Sequence, residues 1–363
     1  MILNSDSLAI PAHSLESFLT INEKVTDHDI NIPLAEYFSR YISIAEDPYI
    51  IRSNKSIHLN SIPKNKDLII NLSKINDFEH LTNYVKKLHE KLTINGLFIG
   101  LVEFYAQRKK RILGKHHITI SHPIYLFDVI LNRILSKFII TKWLYNSITK
   151  GKQIALSKSE VLGRLVSEGF EIVDVKELTN ISFIVCKKTN TPLSKPSSNS
   201  GIVIKLNRVG KNGNLIKVYK IRTMHPYGEY LQDYVYKQSS LIVNGKITDD
   251  FRITSWGKIL RKYWIDELPM ILNWIKGDLK FFGVRPLSIQ HYNLYRKELK
   301  LKRIKFKPGL LPPFYADLPK DFNAKMDSEE KYLDLYEKNP IKTDLKYTMR
   351  ALYNIIFNGA RSS

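Results

Sequence analysis

Residues 250–286 contain, in this order, Asp250-Phe251-Arg252-Ile253-Thr254, Arg261, Asp266-Glu267-Leu268-Pro269 and Gly283-Val284-Arg285-Pro286. This segment places an adjacent Asp-Glu pair between several arginines. Such a combination is expected where a site must hold a divalent metal ion and a multiply charged phosphate together. The segment therefore predicts phosphoryl or phosphosugar transfer, and the rest of the chain is interpreted from it outward.

The chain is strongly basic, since its 363 residues carry 56 Lys and Arg against 35 Asp and Glu, a formal net charge of +21. Residues 201–363 hold 30 basic and 16 acidic residues, so +14 of this excess lies in the half that contains the Asp-Glu pair. A polyanionic neighbour is expected, and the candidates are nucleic acid, an anionic membrane surface and phosphate-rich substrates. The sequence has no zinc-ligand spacing and no nucleic-acid-binding motif, so we expect no nucleic-acid partner.

The first half of the chain has the pattern of an α/β domain. Two short apolar runs, Asp67–Leu72 and Leu97–Val102, flank a helical pattern between Asp77 and Leu92, with a turn at Asn95-Gly96. This order predicts a strand, a helix and a second strand parallel to the first.

A second group of elements follows in the same half. Ser157 and Glu160 have the spacing of a capping box before a helix that ends near Gly169. The strand patterns Phe170–Val175 and Ile181–Cys186 come next. The lone cysteine, Cys186, excludes an internal disulfide and is expected to be a buried strand residue rather than a nucleophile.

By element order, residues 60–188 resemble the C-terminal portion of class I methyltransferase-like domains, which implies a partial Rossmann-like sheet. Those enzymes hold their cofactor on a Gly-rich loop after the first strand, whereas residues 1–60 contain no glycine. A backbone without glycine does not easily approach a cofactor so closely. We therefore expect residues 1–189 to form a methyltransferase-like α/β domain that is not catalytic.

Pro123–Ile148 is expected to form one helix with Phe127 and Ile134 on its apolar side. Trp143 and Tyr145 near its end would suit a helix that lies in a membrane interface with this side down. The alternative is a helix packed on the sheet, which we favour because the apolar stripes of helices mostly face a core. No apolar run approaches the roughly 20 residues needed to cross a bilayer.

Residues 190–200, with two prolines and four serines, have the composition of a linker. After it, the strand-like runs Val203–Leu206 and Ile216–Tyr219 flank a Gly- and Asn-rich turn. Lys220 and Arg222 share one face if the chain is extended there. Two cations on one face would bind phosphate, although the local pattern alone favours a solvated strand edge.

The C-terminal half resembles the bacterial sugar transferase family, the monotopic phosphoglycosyl transferases that act on polyprenyl phosphate. The resemblance covers nearly all of residues 201–363 and implies an α+β, largely helical catalytic domain. Each of its motifs is weak alone, whereas the ordered set is specific. The set comprises Arg208-Val209-Gly210, Lys220-Ile221-Arg222-Thr223-Met224, Asp250–Thr254, Gly257, Leu260-Arg261, Asp266-Glu267-Leu268-Pro269, Asn273, Gly277-Asp278, Gly283-Val284-Arg285-Pro286 and Lys307-Pro308-Gly309.

The resemblance implies transfer of a phosphosugar from a nucleotide-diphosphate sugar to polyprenyl phosphate, which initiates exopolysaccharide, O-antigen or other glycan synthesis. By matching position, Asp266 would be the nucleophile that forms a covalent phosphosugar intermediate, and Glu267 would be a ligand of Mg²⁺. The implied location is the cytoplasmic face of the bacterial inner membrane, as a peripheral or monotopic protein. The alternative is a catalytically inactive regulatory or binding protein of the same pathway at the membrane surface.

Arginine binds phosphate oxygens in a planar, bidentate manner, so Arg261 and Arg285 are the first candidates for the substrate phosphates. Lys220, Arg222 and Arg252 are further candidates, together with the rigid Pro286. From pattern alone, the acidic pair would also suit the first turn of a helix, where acids complement the helix dipole.

Members of the family normally carry a long hydrophobic re-entrant helix just before the Gly210 region, and this chain has the polar linker there. Residues 1–12 also lack the pattern of a secretory signal. Three segments are expected to meet the membrane instead: Pro123–Ile148, Arg296–Lys307 with its seven basic residues, and Tyr347–Phe357. For the basic segment, a solvated helix is an equal alternative.

Overall fold

The structure is a computed structural model that describes residues 41, 48–51, 62–136, 139–189, 192, 201–238, 242–243, 246–247 and 250–360. The chain divides into two compact units, Met1–Ser197 with Pro226–Tyr234, and Ser198–His225 with Val235–Ser363. The predicted linker lies outside the described residues except for Pro192. The first unit thus includes a short segment that the sequence analysis assigned to the second domain.

The first unit is built on one sheet with the strand order β1-β2-β3-β5-β4. Its strands are β1 (Pro48–Ile51), β2 (Lys66–Lys74), β3 (Leu92–Val102), β4 (Phe170–Glu177) and β5 (Ser182–Lys188). Its helices are α1 (Leu81–Lys91), α2 (Tyr105–Lys115), α3 (Ile118–Asp128), a π-helical segment (Val129–Leu135), α4 (Ile139–Thr149) and α5 (Lys158–Ser167), with short 3₁₀ turns at Ile75–Asp77 and Gly228–Leu231.

The predicted strand–helix–parallel strand unit is present. β1, β2 and β3 are parallel, while β5 pairs antiparallel with both β3 and β4. The predicted turn at Asn95-Gly96 is instead part of β3, where the pairing shifts from Leu92 opposite Lys66 to Leu97 opposite Leu68. Asn95 takes a left-handed backbone (φ 66°) at this irregularity. The unit is therefore a mixed α/β sheet, and its methyltransferase-like relationship stays a prediction.

The predicted capping box at the start of α5 is confirmed. The Ser157 hydroxyl accepts a hydrogen bond from the Glu160 backbone N–H (3.2 Å), and a Glu160 carboxylate oxygen accepts one from the Ser157 N–H (2.8 Å). Gly169 follows the helix with a φ of +91°. Cys186 lies fully buried on β5, as predicted, and burial raises the pKa of its thiol.

The prediction of one helix over Pro123–Ile148 is wrong in its bounds, and the interpretation that its apolar side packs on the sheet is also wrong. The helical region begins at Ile118 and passes through the π-helical segment before α4. Its apolar side chains face outward, with Phe127 65% and Trp143 69% exposed. Ile118–Leu135 is also long and apolar enough to cross a membrane by length and composition, contrary to the expectation that no run is.

Residues 201–360 are mainly helical, as predicted for the C-terminal half. The strands are β6 (Val203–Val209), β7 (Leu215–Ile221), β8 (Ile242–Val243), β9 (Lys246–Ile247), β10 (Lys280–Phe282) and β11 (Gly309–Leu311). The helices are α6 (Gln232–Gln238), α7 (Ser255–Lys262), α8 (Ile271–Ile275), α9 (Ile289–Asn293), α10 (Lys297–Ile304), α11 (Phe314–Asp317), α12 (Phe322–Lys338) and α13 (Pro340–Ile356), with 3₁₀ turns at Lys211–Gly213 and Ile265–Met270.

Two apolar clusters organise the second unit. The larger one joins Phe282 of β10 to Tyr332 of α12 and Tyr347 of α13. The smaller one joins Val218 of the predicted β6–β7 hairpin, which is present, to Met270. Burial of such aromatic and aliphatic surface contributes most of the favourable free energy that holds helices and strands in place. Both clusters end at the segment that contains the Asp-Glu pair.

The basic segment Arg296–Lys307 forms α10 and packs against α12 through ion pairs. Lys302 contacts Glu330 and Asp334 (2.9 and 2.7 Å), and Lys305 contacts Glu337 (3.1 Å). Much of its charge is therefore neutralised within the unit. Arg296 and Lys305 nevertheless keep about half of their side chains exposed, and contact of this segment with a membrane stays a prediction.

Gly309 allows β11 to approach β10, because a Cβ at this position would lie 2.2 Å from the Gly283 backbone nitrogen. Gly309→Ala is expected to lower the free energy of unfolding of the second unit by about 1–3 kcal/mol through overpacking. Urea unfolding followed by tryptophan fluorescence measures this, since Trp256, Trp264 and Trp274 lie in the second unit.

Gly201→Ala is the matched control for this substitution. Its Cβ would meet a single atom within 4 Å, the Val203 carbonyl oxygen at 3.4 Å. Equal stability of the two variants would show that the close approach of β10 and β11 does not constrain the fold.

Candidate active site

The Asp-Glu pair lies in the 3₁₀ turn Ile265–Met270, between α7 and α8. Trp264 begins this turn with a left-handed backbone (φ 56°), and its indole N–H donates a hydrogen bond to the Tyr315 hydroxyl (2.6 Å). The two rings also pack edge to face. The entry to the turn is thus fixed from a different helix, and the acidic side chains that follow have a defined direction.

Glu267 is the ionic centre of the site. Its Oε1 accepts hydrogen bonds from Lys220 Nζ (2.5 Å) and from Arg285 Nη2 (3.0 Å). Burial alone would raise the pKa of Glu267, but Arg285 and Lys220 outweigh it and hold the pKa below its usual value. Glu267 is therefore an anion at neutral pH and draws two cations from distant parts of the chain to one point.

Asp266 is only 6% exposed, and its Oδ1 has no hydrogen-bond partner among the described residues. Burial raises its pKa above the usual value, and Lys220 and Arg261 oppose this effect. The adjacent Glu267 adds to the rise. Two neighbouring carboxylates are thus pushed in opposite directions, and a buried, unpartnered carboxylate oxygen is a costly feature typical of a functional group.

Asn273 fixes the strand that carries Lys220. Its side-chain oxygen accepts from the Tyr219 backbone N–H (2.9 Å), and its amide N–H donates to the Lys217 carbonyl (2.8 Å) and to Asp278 (3.0 Å). Asn273 is fully buried. Asn273 on α8, seven residues after the catalytic candidate Asp266, therefore sets the position of the end of β7.

A second buried contact fixes Arg285. The Arg303 guanidinium donates to the Arg285 carbonyl (2.5 Å) and pairs with Glu329, which is fully buried. Burial lowers the pKa of Arg303 to about 10, so it stays charged at neutral pH. Sequence reasoning missed both residues, because no local pattern links α10 to an acid on α12.

A cavity of about 220 Å³ opens beside Glu267. Four cationic side chains and His291 line it. Burial and the nearby Lys325 lower the pKa of His291 to about 4, so this side chain is uncharged at neutral pH. Burial and the nearby Arg285 lower the pKa of Arg208 to about 10, so it remains a cation. The lining comprises Arg208, Lys220, Arg285, Lys325, Glu267, His291, Ser288, Pro286, Leu287, Val218, Met270, Leu310, Pro312, Tyr315 and Phe322.

Such a cavity can accept a polyanion. Arg208 belongs to the family motifs in the sequence but was not predicted as a site residue. Lys325 lies outside those motifs, and sequence reasoning missed it. The predicted site residues Lys220, Glu267, Arg285 and Pro286 all line the cavity.

Arg261 lies close to the pair without lining this cavity. Its Nε donates to the Thr223 hydroxyl (2.8 Å), and its charge lowers the pKa of the Asp266 carboxyl. Arg261 is thus placed to act on Asp266 electrostatically.

Two further candidates make other contacts. Arg252 is 2% exposed and forms a bidentate pair with Asp250, with Nε–Oδ1 and Nη2–Oδ2 distances of 2.8 and 2.6 Å. Arg222 donates from Nε to the Gly201 carbonyl (3.2 Å). Neither side chain lines the cavity, and their predicted role in phosphate binding stays a prediction.

The acidic pair is the predicted magnesium site. The described residues contain no group of three or more His, Cys, Asp or Glu side chains that could hold a metal by themselves. Mg²⁺, however, is usually bound through one or two carboxylates, substrate phosphates and water. Asp266 Oδ1 has no partner among the described residues, whereas Glu267 Oε1 is bonded to Lys220 and Arg285, and the magnesium site at this pair stays a prediction.

Comparison with known proteins agrees with the geometry. The profile of the bacterial sugar transferase family matches residues 178–358. This half of the chain belongs to the bacterial sugar transferase family. The family match begins within the first unit and contains the Asp-Glu pair, Lys220 and the Arg285-Pro286 segment.

Curated relatives match the sugar transferase half over shorter lengths. Galactosyl transferase CpsE of Streptococcus agalactiae serotype III is 40% identical over 29% of this chain and 23% of its own length. Exopolysaccharide production protein ExoY of Sinorhizobium fredii is 32% identical over 32% of this chain and 54% of its own length. The UDP-glucose:undecaprenyl-phosphate glucose-1-phosphate transferase of Escherichia coli is 30% identical over 32% of this chain and 23% of its own length.

Lys220→Met is expected to raise the pKa of Asp266 further, because the substitution removes the cation that most strongly opposes the effect of burial. A ¹³C NMR titration of the aspartate carboxyl groups measures this pKa directly. Lys305→Met removes the same charge from an exposed pair with Glu337 in the same unit and should leave Asp266 unchanged. An unchanged or lower Asp266 pKa in Lys220→Met would contradict the electrostatic description of the site.

Proposed function

We propose that the protein is a phosphoglycosyl transferase that moves a phosphosugar from a nucleotide-diphosphate sugar to polyprenyl phosphate and so initiates exopolysaccharide, O-antigen or another glycan. The observation that carries this proposal is Glu267, which Lys220 and Arg285 hold at a cationic cavity in a chain of the sugar transferase family. Asp266 does not line that cavity but is buried next to Glu267 in the chain. Relatives named as undecaprenyl-phosphate sugar transferases support the substrate classes.

In the proposed first step, a carboxylate oxygen of Asp266 attacks the phosphorus bonded to the sugar. A new P–O bond forms to Asp266, and the bond to the nucleoside monophosphate breaks, so that this group leaves with its electron pair. In the second step, a phosphate oxygen of the polyprenyl phosphate attacks the same phosphorus and releases the Asp266 carboxylate. Burial raises the pKa of Asp266 and makes its carboxylate more basic, while Lys220 and Arg261 oppose that rise.

Lys220 and Arg285 bind the phosphates in this proposal, because both line the cavity and the charges of both act on the Asp266 carboxyl. Glu267 orients both of them. Glu267, with Asp266, would also hold Mg²⁺, which supplies positive charge that stabilises the transferring phosphate. The same cations reduce the repulsion between an anionic nucleophile and an anionic substrate.

An apolar surface next to the acidic pair supports a lipid acceptor. Leu268 (55% exposed), Leu272 (51%) and Ile275 (71%) recur at helical spacing directly after Asp266-Glu267. On α13, Met349 is 63% exposed, with Leu352 and Ile356 on the same predicted stripe. We propose that the enzyme works at an anionic membrane surface, on the cytoplasmic face of the bacterial inner membrane.

The first unit has no proposed catalytic role. Its predicted relationship to methyltransferase-like domains implies no activity, because residues 1–60 contain none of the glycines with which such enzymes bind their cofactor. The remaining alternative is a catalytically inactive protein that binds or regulates at the membrane surface. The buried, unpartnered Asp266 Oδ1 beside Glu267 and its two cations favours the enzyme, because perturbed carboxylates cluster at functional sites.

Asp266→Asn is expected to lower nucleoside monophosphate release from nucleotide-diphosphate sugars by on the order of 10⁴-fold or more, because it removes the nucleophile. The assay uses the full chain with polyprenyl phosphate in mixed micelles and a panel of nucleotide sugars, with and without Mg²⁺. Sugar-phosphate label should remain on quenched wild-type protein and be absent from the variant.

Asp327→Asn is the matched control, since the Asp327 side chain is 64% exposed and lies in the same unit. It should retain wild-type turnover and labelling. Turnover by Asp266→Asn at the wild-type rate would disprove the proposed nucleophile. Absence of release by the wild-type chain with every sugar tested would favour the inactive alternative.

A further inference from the structure

We infer that the first unit carries its own docking surface for an anionic phospholipid bilayer, separate from the apolar surface beside Asp266. This surface, called here the outer apolar face, is formed by Leu126, Phe127, Ile130, Ile134, Ile140 and Trp143 of α3, the π-helical segment and α4. Their exposed fractions run from 42% for Ile130 to 84% for Ile140. The inference goes beyond the proposed function, which needs the sugar transferase half alone.

The opposite side of these helices is polar and is buried within the unit. Asp128 (9% exposed) accepts a hydrogen bond from Arg108 Nε (2.9 Å) and another from the Asn132 amide (2.9 Å). Arg108 and Asn132 are each 4% exposed. In a water-soluble protein an amphipathic helix turns its apolar side inward. The reversed arrangement is stable only where the outward side meets an apolar medium.

The charges around the outer apolar face match an anionic surface. Lys109, Lys110 and Lys115 precede it, Lys150 and Lys152 follow it, and all five are exposed. Between residues 109 and 152 the sequence has one acid, Asp128, whose carboxylate is paired inside the unit. A bilayer with anionic headgroups supplies both an apolar layer and the complementary charge. A second copy of the chain would instead bring these lysines against each other.

The helices are expected to lie flat in the interface rather than cross the bilayer. A spanning helix has lipid around most of its circumference, whereas Ser121, Asp128 and Asn132 are buried against their own unit. Trp143 lies on the outward side of α4, where an amphipathic ring suits the headgroup level. The apolar side chains would therefore enter the outer part of one leaflet.

A site-specific fluorescent label tests this placement. Cys186 is fully buried, so a thiol introduced on the surface is the one that reacts. Ile140→Cys puts an environment-sensitive dye on the outer apolar face, and Ile94→Cys puts it at a 61% exposed position of β3 in the same unit. The full-length protein is mixed with vesicles of phosphatidylcholine and phosphatidylglycerol. The dye at position 140 should shift to the blue and be quenched by spin-labelled lipid, and the dye at 94 should not.

Vesicle co-sedimentation of unlabelled variants gives a second measurement. Phe127→Ser with Ile140→Ser should weaken binding of the full chain to these vesicles by about 10-fold or more, because two large apolar side chains are lost. Ile94→Ser is the matched control and should bind as the wild type does. Circular dichroism verifies that each variant is folded. Neither measurement requires turnover, so both are independent of whether the proposed reaction occurs.

Three results would overturn the inference. The dye at 140 could stay in water on vesicle-bound protein, which would assign docking to the sugar transferase half alone. The dye at 140 could already be shielded from water before vesicles are added. That result would mean that another part of this chain or a second copy covers the outer apolar face. Equal binding to vesicles of pure phosphatidylcholine would remove the role of the lysines.

Discussion

The candidate site depends on one carboxylate oxygen, Glu267 Oε1, which accepts hydrogen bonds from both Lys220 and Arg285. The two cations would otherwise repel each other, and burial together with Arg285 already lowers the pKa of Lys220. An anion between them is therefore the condition for placing both at one cavity. One anion cannot neutralise two cations, so positive charge is left over for a phosphate. The positive charge of Lys220 and Arg285 also acts on the adjacent Asp266.

Rigid supports behind these charges make the arrangement specific. Asn273 holds the end of β7 through two backbone hydrogen bonds, and Arg303 holds the carbonyl of Arg285 while its own charge is met by Glu329. Asn273 and Arg303 are both buried and hydrogen-bonded, and satisfied buried polar networks of this kind rigidify a fold and favour one arrangement of the chain. Both act on backbone rather than on the charged groups. The backbone that carries Lys220 and Arg285 is thus held independently of the ion pairs at Glu267.

Sequence predicted the chemistry of the site better than its supports. Lys220 and Arg285 could be chosen because cations beside an Asp-Glu pair have a direct chemical reason. Alternation along a strand grouped Lys220 with Arg222, but β7 ends at Ile221 and Arg222 turns to the Gly201 carbonyl. In the first unit, apolar periodicity predicted a helix over Pro123–Ile148, where the structure has several helical segments that begin at Ile118. The periodicity could not tell which side of the helix faces the protein, because it carries no information about the surrounding medium.

The opposed pKa shifts of Asp266 and Glu267 also bear on the proposed role of Mg²⁺. Lys220 and Arg261 lower the pKa of Asp266 against the effect of burial. A phosphate bound by Lys220 and Arg285 neutralises part of that field, so the Asp266 carboxylate becomes more basic as the substrate arrives and is then more easily protonated. A substrate that enters with its own divalent cation restores the lost positive charge. In the proposed mechanism such a cation would lower the pKa of Asp266 again and so favour its ionised form in the substrate complex.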